Sequence, residues 1–181
     1  MPEAHGLLVL GLGNLLLGDD GLGAAAVARL DREFETPPGV RVVDGGTLGL
    51  ALLGLVAESE HVILVDAIRE DACAGSLVRI DGDEVAPAVR DRLSPHQIGV
   101  ADLLDAARLT DCYPKSVTLL GLVPERITLT LERSKPVEAG LSALVDAIVR
   151  EAHALGYEMV ARTNAGSRSG HIDRPARALG L

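Results

Sequence analysis

Aromatic residues are almost absent from this sequence: it has one Phe, two Tyr and no Trp among 181 residues. A hydrophobic core must therefore consist of Leu, Val, Ile and Ala. Hydrophobic residues still make up 48% of the chain, which is typical of a globular protein. So few rings provide no platform on which bases or sugars could stack. The length fits a single domain with a sizeable core.

Positive charge and cysteine are also scarce. Lys and Arg number 17 against 26 Asp and Glu, and the net charge is −9. Most of the surface would repel nucleic acid, so we expect no nucleic-acid partner. The two cysteines, Cys73 and Cys112, lie far apart and form no CxxC pair. We therefore expect no disulfide framework and a reducing compartment.

Long apolar runs are missing, and the first residues, MPEAHG, lack the basic segment that opens a secretory signal. The longest apolar stretches contain Gly or Asp and fall short of a membrane span. We therefore expect a soluble cytoplasmic protein without membrane contact. We also expect a monomer.

What is present is an alternation of strand-like and helix-like segments. Continuous apolar runs predict buried strands at residues 6–11, 40–44 and 61–67. Helical patterns lie between them at residues 22–34 and 47–59, the second with Thr47 as a plausible N-cap. This βαβαβ order predicts three parallel strands joined by right-handed crossovers.

The second half of the chain continues this pattern with one change of direction. Residues 76–80 form a strand that follows the third after a link too short for a parallel return, so it should lie antiparallel at an edge. The polar stretch 81–97 is expected to be irregular. Further elements are predicted as helix 98–109, strand 116–124 and helix 137–155.

The last residues differ in composition from the rest. Residues 162–181 contain four Arg and one acidic residue, with scattered Gly, Ser and Pro. We expect a mobile tail after a single domain of residues 1–161. A basic docking tail is the alternative.

The stretch GLGNLLLGDDGLG at residues 11–23 resembles a nucleotide-binding loop but departs from one. The third glycine of a dinucleotide fingerprint is replaced by Leu16, and no Lys of a P-loop is present. Asp19 and Asp20 would face any phosphate bound at the following helix. One simple alternative is that these aspartates cap that helix.

Three polar side chains are expected to meet at one edge of the sheet. Ligands of open α/β sheets bind beyond the carboxyl ends of the strands, where strand order reverses. Asp20 follows the first strand, Asp66 ends the third, and His96 precedes the helix that begins near residue 98. Two carboxylates and an imidazole suit a divalent transition ion. Alternatively, Asp66 is a hydrogen-bonded turn residue and His96 is structural.

The sequence resembles the hydrogenase maturation endopeptidases, which process the large subunit of nickel–iron hydrogenases. The resemblance depends on four ordered stretches, GLGNLLLGDDGLG, DGGTLGLALL, VDAI and SPHQIG, and on a later GLVPE. It implies an α/β fold, a three-layer α/β/α sandwich around a mostly parallel five-stranded sheet with one strand antiparallel. It covers most of residues 6–156 and makes residues 1–161 a single peptidase domain.

The resemblance also implies an activity and a site. The family removes a C-terminal peptide from the nickel-loaded large-subunit precursor, and its three metal-contacting residues fall on Asp20, Asp66 and His96, as both metal and catalytic residues. Many relatives carry Glu at the position of Asp20. The nickel is carried by the substrate, and a divalent transition metal in the free enzyme is left open.

Several questions remain open from the residues alone. The chemistry is either nickel acting as a Lewis acid or an aspartic-type carboxylate pair. Gly45 and Gly46 either admit substrate backbone or form a tight turn. The alternative functions are a non-catalytic, nickel-dependent assembly chaperone and a Rossmann-like nucleotide-binding protein.

Overall fold

A five-stranded sheet forms the centre of the protein. The computed structural model describes residues 5–92 and 98–162. The strand order is β3-β1-β4-β6-β5, and the strands are β1 (His5–Leu12), β3 (Val40–Gly46), β4 (Ser59–Ala67), β5 (Leu77–Asp81) and β6 (Ser116–Leu122). The contacts between β1, β3, β4 and β6 are parallel, and β5 is antiparallel to β6 at the edge. The predicted mostly parallel sheet with one antiparallel edge strand is confirmed.

Helices cover both faces of this sheet and complete three layers. On one face, α1 (Leu22–Glu33) and α5 (Lys135–Ala154) bury an aliphatic core that includes Leu30, Leu144 and Ile148. On the other face, a second core is closed by α2 (Leu53–Ala57), α3 (Val85–Arg92) and α4 (Ile98–Leu109). Because both faces are buried, the central strands are continuous apolar runs rather than alternating ones.

Two predicted segments differ from the structure. A single helix over 47–59 with Thr47 as N-cap is wrong, because Gly46 and Gly49 have φ of 50° and 51° and interrupt the helical conformation. The chain instead forms a 3-10 turn at Gly49–Leu52 before α2. The stretch 81–97 is not wholly irregular, because α3 lies within it. Pro87 falls in the first turn of α3, where no intrahelical N–H bond is lost.

The ends of two helices and the edge strand are held by Arg side chains. Arg79 of β5 donates from Nε to Glu151 Oε2 of α5 at 3.0 Å. A small antiparallel pair joins β2 (Phe34–Glu35) to β7 (Val160–Ala161). Beyond it, Arg162 donates from Nε to the carbonyls of Asp31 and Phe34, so this residue is anchored at the end of α1. The rest of the predicted tail, residues 163–181, lies outside the described residues.

The structure also describes the two cysteines and the apolarity of the helices. Cys73 and Cys112 are both exposed and are not joined by a disulfide. Among the described helices, none combines the length and apolarity needed to cross a bilayer.

Close packing of α1 on the sheet depends on Gly23. A Cβ at this position would overlap the carbonyl oxygens of Leu12 and Val65 and would lie 2.5 Å from Leu12 N. Leu16 stands where a dinucleotide-binding loop has its packing glycine. Here Gly23, inside α1, provides the close helix–strand approach instead.

We predict that Gly23→Ala destabilises the protein by about 3 kcal/mol, because backbone atoms cannot move aside as a flexible side chain can. Gly54→Ala in α2 is the matched control, since nothing lies within 4 Å of its added Cβ. It should be neutral or stabilising by up to about 1 kcal/mol. Urea unfolding of the three proteins measures both effects, and equal midpoints for G23A and wild type would contradict this packing.

Candidate active site

The loop between β1 and α1 is the glycine-rich turn of the sequence, and it holds its two aspartates in different roles. Gly13 has φ of 106° and donates its N–H to Gly46 O at 3.0 Å, which ties this loop to the end of β3. Asp19 and Asp20 lie in a 3-10 turn, Asp19–Gly21, before α1. The N-cap of α1 is Gly21, and no side chain caps it. Neither aspartate is therefore the helix cap that was one alternative.

Asp20 is buried and only partly satisfied. Its side chain is 1% exposed, and its Oδ2 accepts the N–H of Asn14 at 2.8 Å. Within residues 5–92 and 98–162, its Oδ1 has no hydrogen-bond partner. Burying a carboxylate oxygen without a partner costs free energy, so such an atom is uncommon and points to a ligand or a catalytic role.

Asp66 lies beside Asp20 at the switch point of the sheet. It stands near the carboxyl end of β4, is fully buried, and accepts the N–H of Ala67 on Oδ1 at 2.6 Å. Gly13 separates the two aspartates: a Cβ there would lie 3.5 Å from Asp66 Oδ1 and would overlap the backbone carbonyl of Asp20. The strand order reverses between β1 and β4, so the structure brings together these two predicted residues at the predicted edge.

Asp19 joins two loops that are distant in the sequence. Its Oδ2 accepts the N–H groups of Glu125 and Arg126 at 2.9 and 3.0 Å, and its Oδ1 accepts that of Ser134 at 2.6 Å. Burial alone would raise the pKa of Asp19, but the donors from Ser134, Arg126 and Glu125 outweigh it and leave the pKa below its usual value. The carboxylate thus stays charged and holds the loop after β6 against the loop after β1.

His96, the third predicted site residue, lies outside the described residues, so its position stays a prediction. The beginning of α4 does lie at the relevant edge, because Gly99 packs against Gly49, which follows β3. Among the residues that the structure describes, no group of three or more His, Cys, Asp or Glu could hold a metal ion. Of the three predicted site residues, the structure therefore describes the two carboxylates, Asp20 and Asp66.

The neighbouring glycine pair has a structural explanation. Gly45 is buried, and a Cβ there would lie 2.7 Å from Leu10 Cδ1. Gly46 has φ of 50° and accepts the Gly13 N–H on its carbonyl oxygen. Packing and turn geometry therefore account for both glycines, as the tight-turn alternative supposed. Access of substrate backbone to Gly46 stays a prediction.

A cavity of about 390 Å³ lies alongside α1, with Leu15, Asp44 and Arg133 in its wall. Neither Asp20 nor Asp66 lines it. The two buried carboxylates are therefore separate from this cavity and belong to the loops at the sheet edge.

The fold and this edge define a class of protein: a doubly wound α/β protein whose switch point contains buried carboxylates instead of a phosphate-binding loop. Within that class, the chain belongs to the hydrogenase maturation proteases. Residues 24–151 match the HycI hydrogenase maturation protease family. The chain is thus a peptidase, and the predicted family is confirmed.

Individual relatives agree with this assignment. The chain is 37% identical over 157 residues to the hydrogenase 2 maturation protease of Escherichia coli K12, which covers 86% of this chain and 96% of the relative. The solved hydrogenase maturating endopeptidase HybD of E. coli superposes with a TM-score of 0.84 at 34% identity, over 88% of this chain and 99% of the other. The [NiFe] hydrogenase maturation protease HybD of Thermococcus kodakarensis gives 0.69 at 28%, over 81% and 99%.

Sequence reasoning did not find the role of Asp19 or of the loop between β6 and α5. Asp19 is 115 positions from Ser134, and nothing in the local sequence specifies that contact. Glu125 ends the family-like stretch GLVPE, yet its contact with Asp19 depends on the folded chain. The one sequence signal for the role of Asp19 is its position directly before Asp20, a candidate site residue.

We predict that Asp19→Asn lowers the free energy of unfolding at pH 7 by about 2–4 kcal/mol, because an amide has one acceptor oxygen for three N–H donors. Asp20→Asn is the matched control: its amide oxygen can still accept from Asn14, and its NH₂ replaces the oxygen that has no described partner. Urea unfolding should show a large loss for D19N and a small change for D20N.

The pH dependence of D19N follows from the lowered pKa of Asp19. A carboxyl group with a folded pKa below its unfolded value stabilises the protein above the unfolded pKa, about 4, and loses that contribution as pH falls through the folded pKa. The difference in unfolding free energy between wild type and D19N should therefore shrink as pH falls from about 5 to 2. A constant difference over that range would contradict the assigned role.

Proposed function

We propose that this protein removes a C-terminal peptide from the nickel-loaded precursor of a nickel–iron hydrogenase large subunit, and that Asp20, Asp66 and His96 contact the nickel. The observation that carries the proposal is the buried Asp20 Oδ1 without a described hydrogen-bond partner, beside the buried Asp66. Family membership and the [NiFe] protease relative support it.

A cation brought by the substrate accounts for the energetics of this edge. A buried carboxylate is costly unless it is paired or coordinates a metal. The carboxylate oxygens of Asp20 and Asp66, with an imidazole from His96, form a donor set that suits a divalent transition ion. Precursor without its metal would leave Asp20 Oδ1 unsatisfied, so the same atoms that bind metal-loaded substrate discriminate against the empty form.

The donor set also fits a divalent transition metal in the free enzyme. Asp20, Asp66 and His96 would hold such an ion, which supplies Lewis-acid chemistry when bound. The nickel that we propose as the recognition signal belongs to the precursor, whichever ion the free enzyme takes up.

The hydrolysis itself is assigned to carboxylate and nickel together. One carboxylate takes a proton from water, the water oxygen bonds to the scissile carbonyl carbon, the C–N bond breaks, and the departing amine receives the proton. The nickel carried by the substrate would act as a Lewis acid and stabilise the charge that develops on the carbonyl oxygen. An aspartic-type pair, in which Asp20 and Asp66 share a proton, is the other arrangement that these residues allow. We place the reaction in the cytoplasm.

The direct test incubates nickel-loaded precursor with the protein and follows the mass of the large subunit. Loss of a C-terminal peptide is expected, and metal-free precursor should keep its full mass. If the loaded precursor binds but keeps its full length, the protein is a non-catalytic assembly factor and the protease proposal is wrong.

We predict that Asp20→Asn, Asp66→Asn and His96→Ala each slow processing by a factor of about 100 or more, because each removes a charged or basic donor at the reacting centre. Asp20→Glu should retain the most activity, since it keeps the carboxylate and relatives are expected to carry Glu there. Rates come from the same mass assay, with circular dichroism to verify folding. Full activity of D20N would remove Asp20 from the site.

A further inference from the structure

Exposed large apolar side chains are concentrated at the carboxyl edge of the sheet. In the described part of the chain, nine such side chains are exposed, and six lie in the segments that follow β1, β3 and β6: Leu15, Leu16, Leu48, Leu50, Leu129 and Leu131. Leu129 and Leu131 are 84% and 73% exposed. Clustered exposed leucines on a soluble protein indicate an interaction surface, whereas single ones do not.

Four of these leucines belong to two loops that are bonded to each other. We call Leu15, Leu16, Leu129 and Leu131 the apolar rim. Thr130 N donates to Leu16 O at 2.9 Å, and Gly18 N donates to Thr130 O at 2.8 Å. The backbone between the four side chains is therefore paired, and the rim is a preorganised surface rather than a pair of independent loops.

The apolar rim is also connected to the carboxylates of the site. Leu15 and Leu16 precede Asp20 in the same loop. Asp19 holds that loop to Glu125 and Arg126, four residues or fewer before Leu129. A molecule seated on the rim would thus lie at the edge where Asp20 and Asp66 are buried.

We propose that the apolar rim docks the folded hydrogenase precursor through an apolar patch beside the metal of that precursor. This inference rests on the proposed function. The four rim side chains carry no charge, so the contact that they themselves offer a partner is apolar. A second copy of this chain is the less suitable occupant, because it would cover the edge that the substrate must reach.

The test compares two exposed leucines of the rim with one exposed leucine at the opposite edge of the sheet. Leu129→Glu and the double variant Leu129→Glu/Leu131→Glu alter the rim. Leu109→Glu is the matched control: Leu109 is 86% exposed at the end of α4, in the segment leading to the first residues of β6. All three substituted positions are solvent-accessible, so the variants should fold, as thermal melting will verify.

Steady-state cleavage of nickel-loaded precursor gives the expected pattern. The double rim variant should raise KM about 10-fold with kcat within about 2-fold, which is the signature of lost binding shared by ground and transition states. L109E should match wild type in both constants. Titration of the precursor into D20N, with and without the rim substitutions, should show the same weakening as a change in Kd.

Failure of this inference and failure of the proposed function give different results. If wild type cleaves and the rim variants keep its KM, docking at the rim is wrong while the protease function stands. If rim substitutions abolish self-association in sedimentation and leave KM unchanged, the rim is an interface between copies and the inference is overturned. If wild type does not cleave but binds in a rim-dependent manner, docking stands and the protease proposal fails.

Discussion

The carboxylate of Asp19 is the contact on which the geometry of the site depends. Its three N–H donors come from the loop between β6 and α5, far from it in sequence. Hydrogen bonds to an ionised acceptor are among the stronger ones in proteins, and the lowered pKa of Asp19 keeps that acceptor charged. The turn that contains the neighbouring Asp20 is therefore held in position by the loop between β6 and α5.

Asp19 and Asp20 are adjacent aspartates with different roles. Asp19 is satisfied and structural, whereas Asp20 retains a buried oxygen without a described partner. The hydrogen bonds to Asp19 make the loop rigid. The Oδ1 atom of Asp20, which has no described partner, is available to a ligand. Gly13 allows Asp20 and Asp66 to approach, because any Cβ would overlap the Asp20 carbonyl. The cation-binding capacity and the docking surface are proposals that share these two loops.

Much of the fold follows from local patterns in the chain. Apolar runs and amphipathic periodicity predict α1, α4, α5 and the five sheet strands close to their observed bounds, because burial on both faces of a parallel sheet leaves a strong signal. The short link before β5 predicts its antiparallel direction for a steric reason. The patterns fail at α2 and α3, where positive φ at Gly46 and Gly49 and a first-turn proline decide the outcome.

By itself, the sequence predicted the succession of most strands and helices along the chain and placed Asp20 and Asp66 at the same edge of the sheet, since strand ends and loop motifs are local properties. Only the tertiary structure decided that Asp19 joins two loops, that Gly23 supplies the close helix packing, and that Leu129 and Leu131 stay exposed beside Leu16. Each of these depends on atoms that lie far apart along the chain, and no periodicity or composition specifies such contacts until the chain is folded.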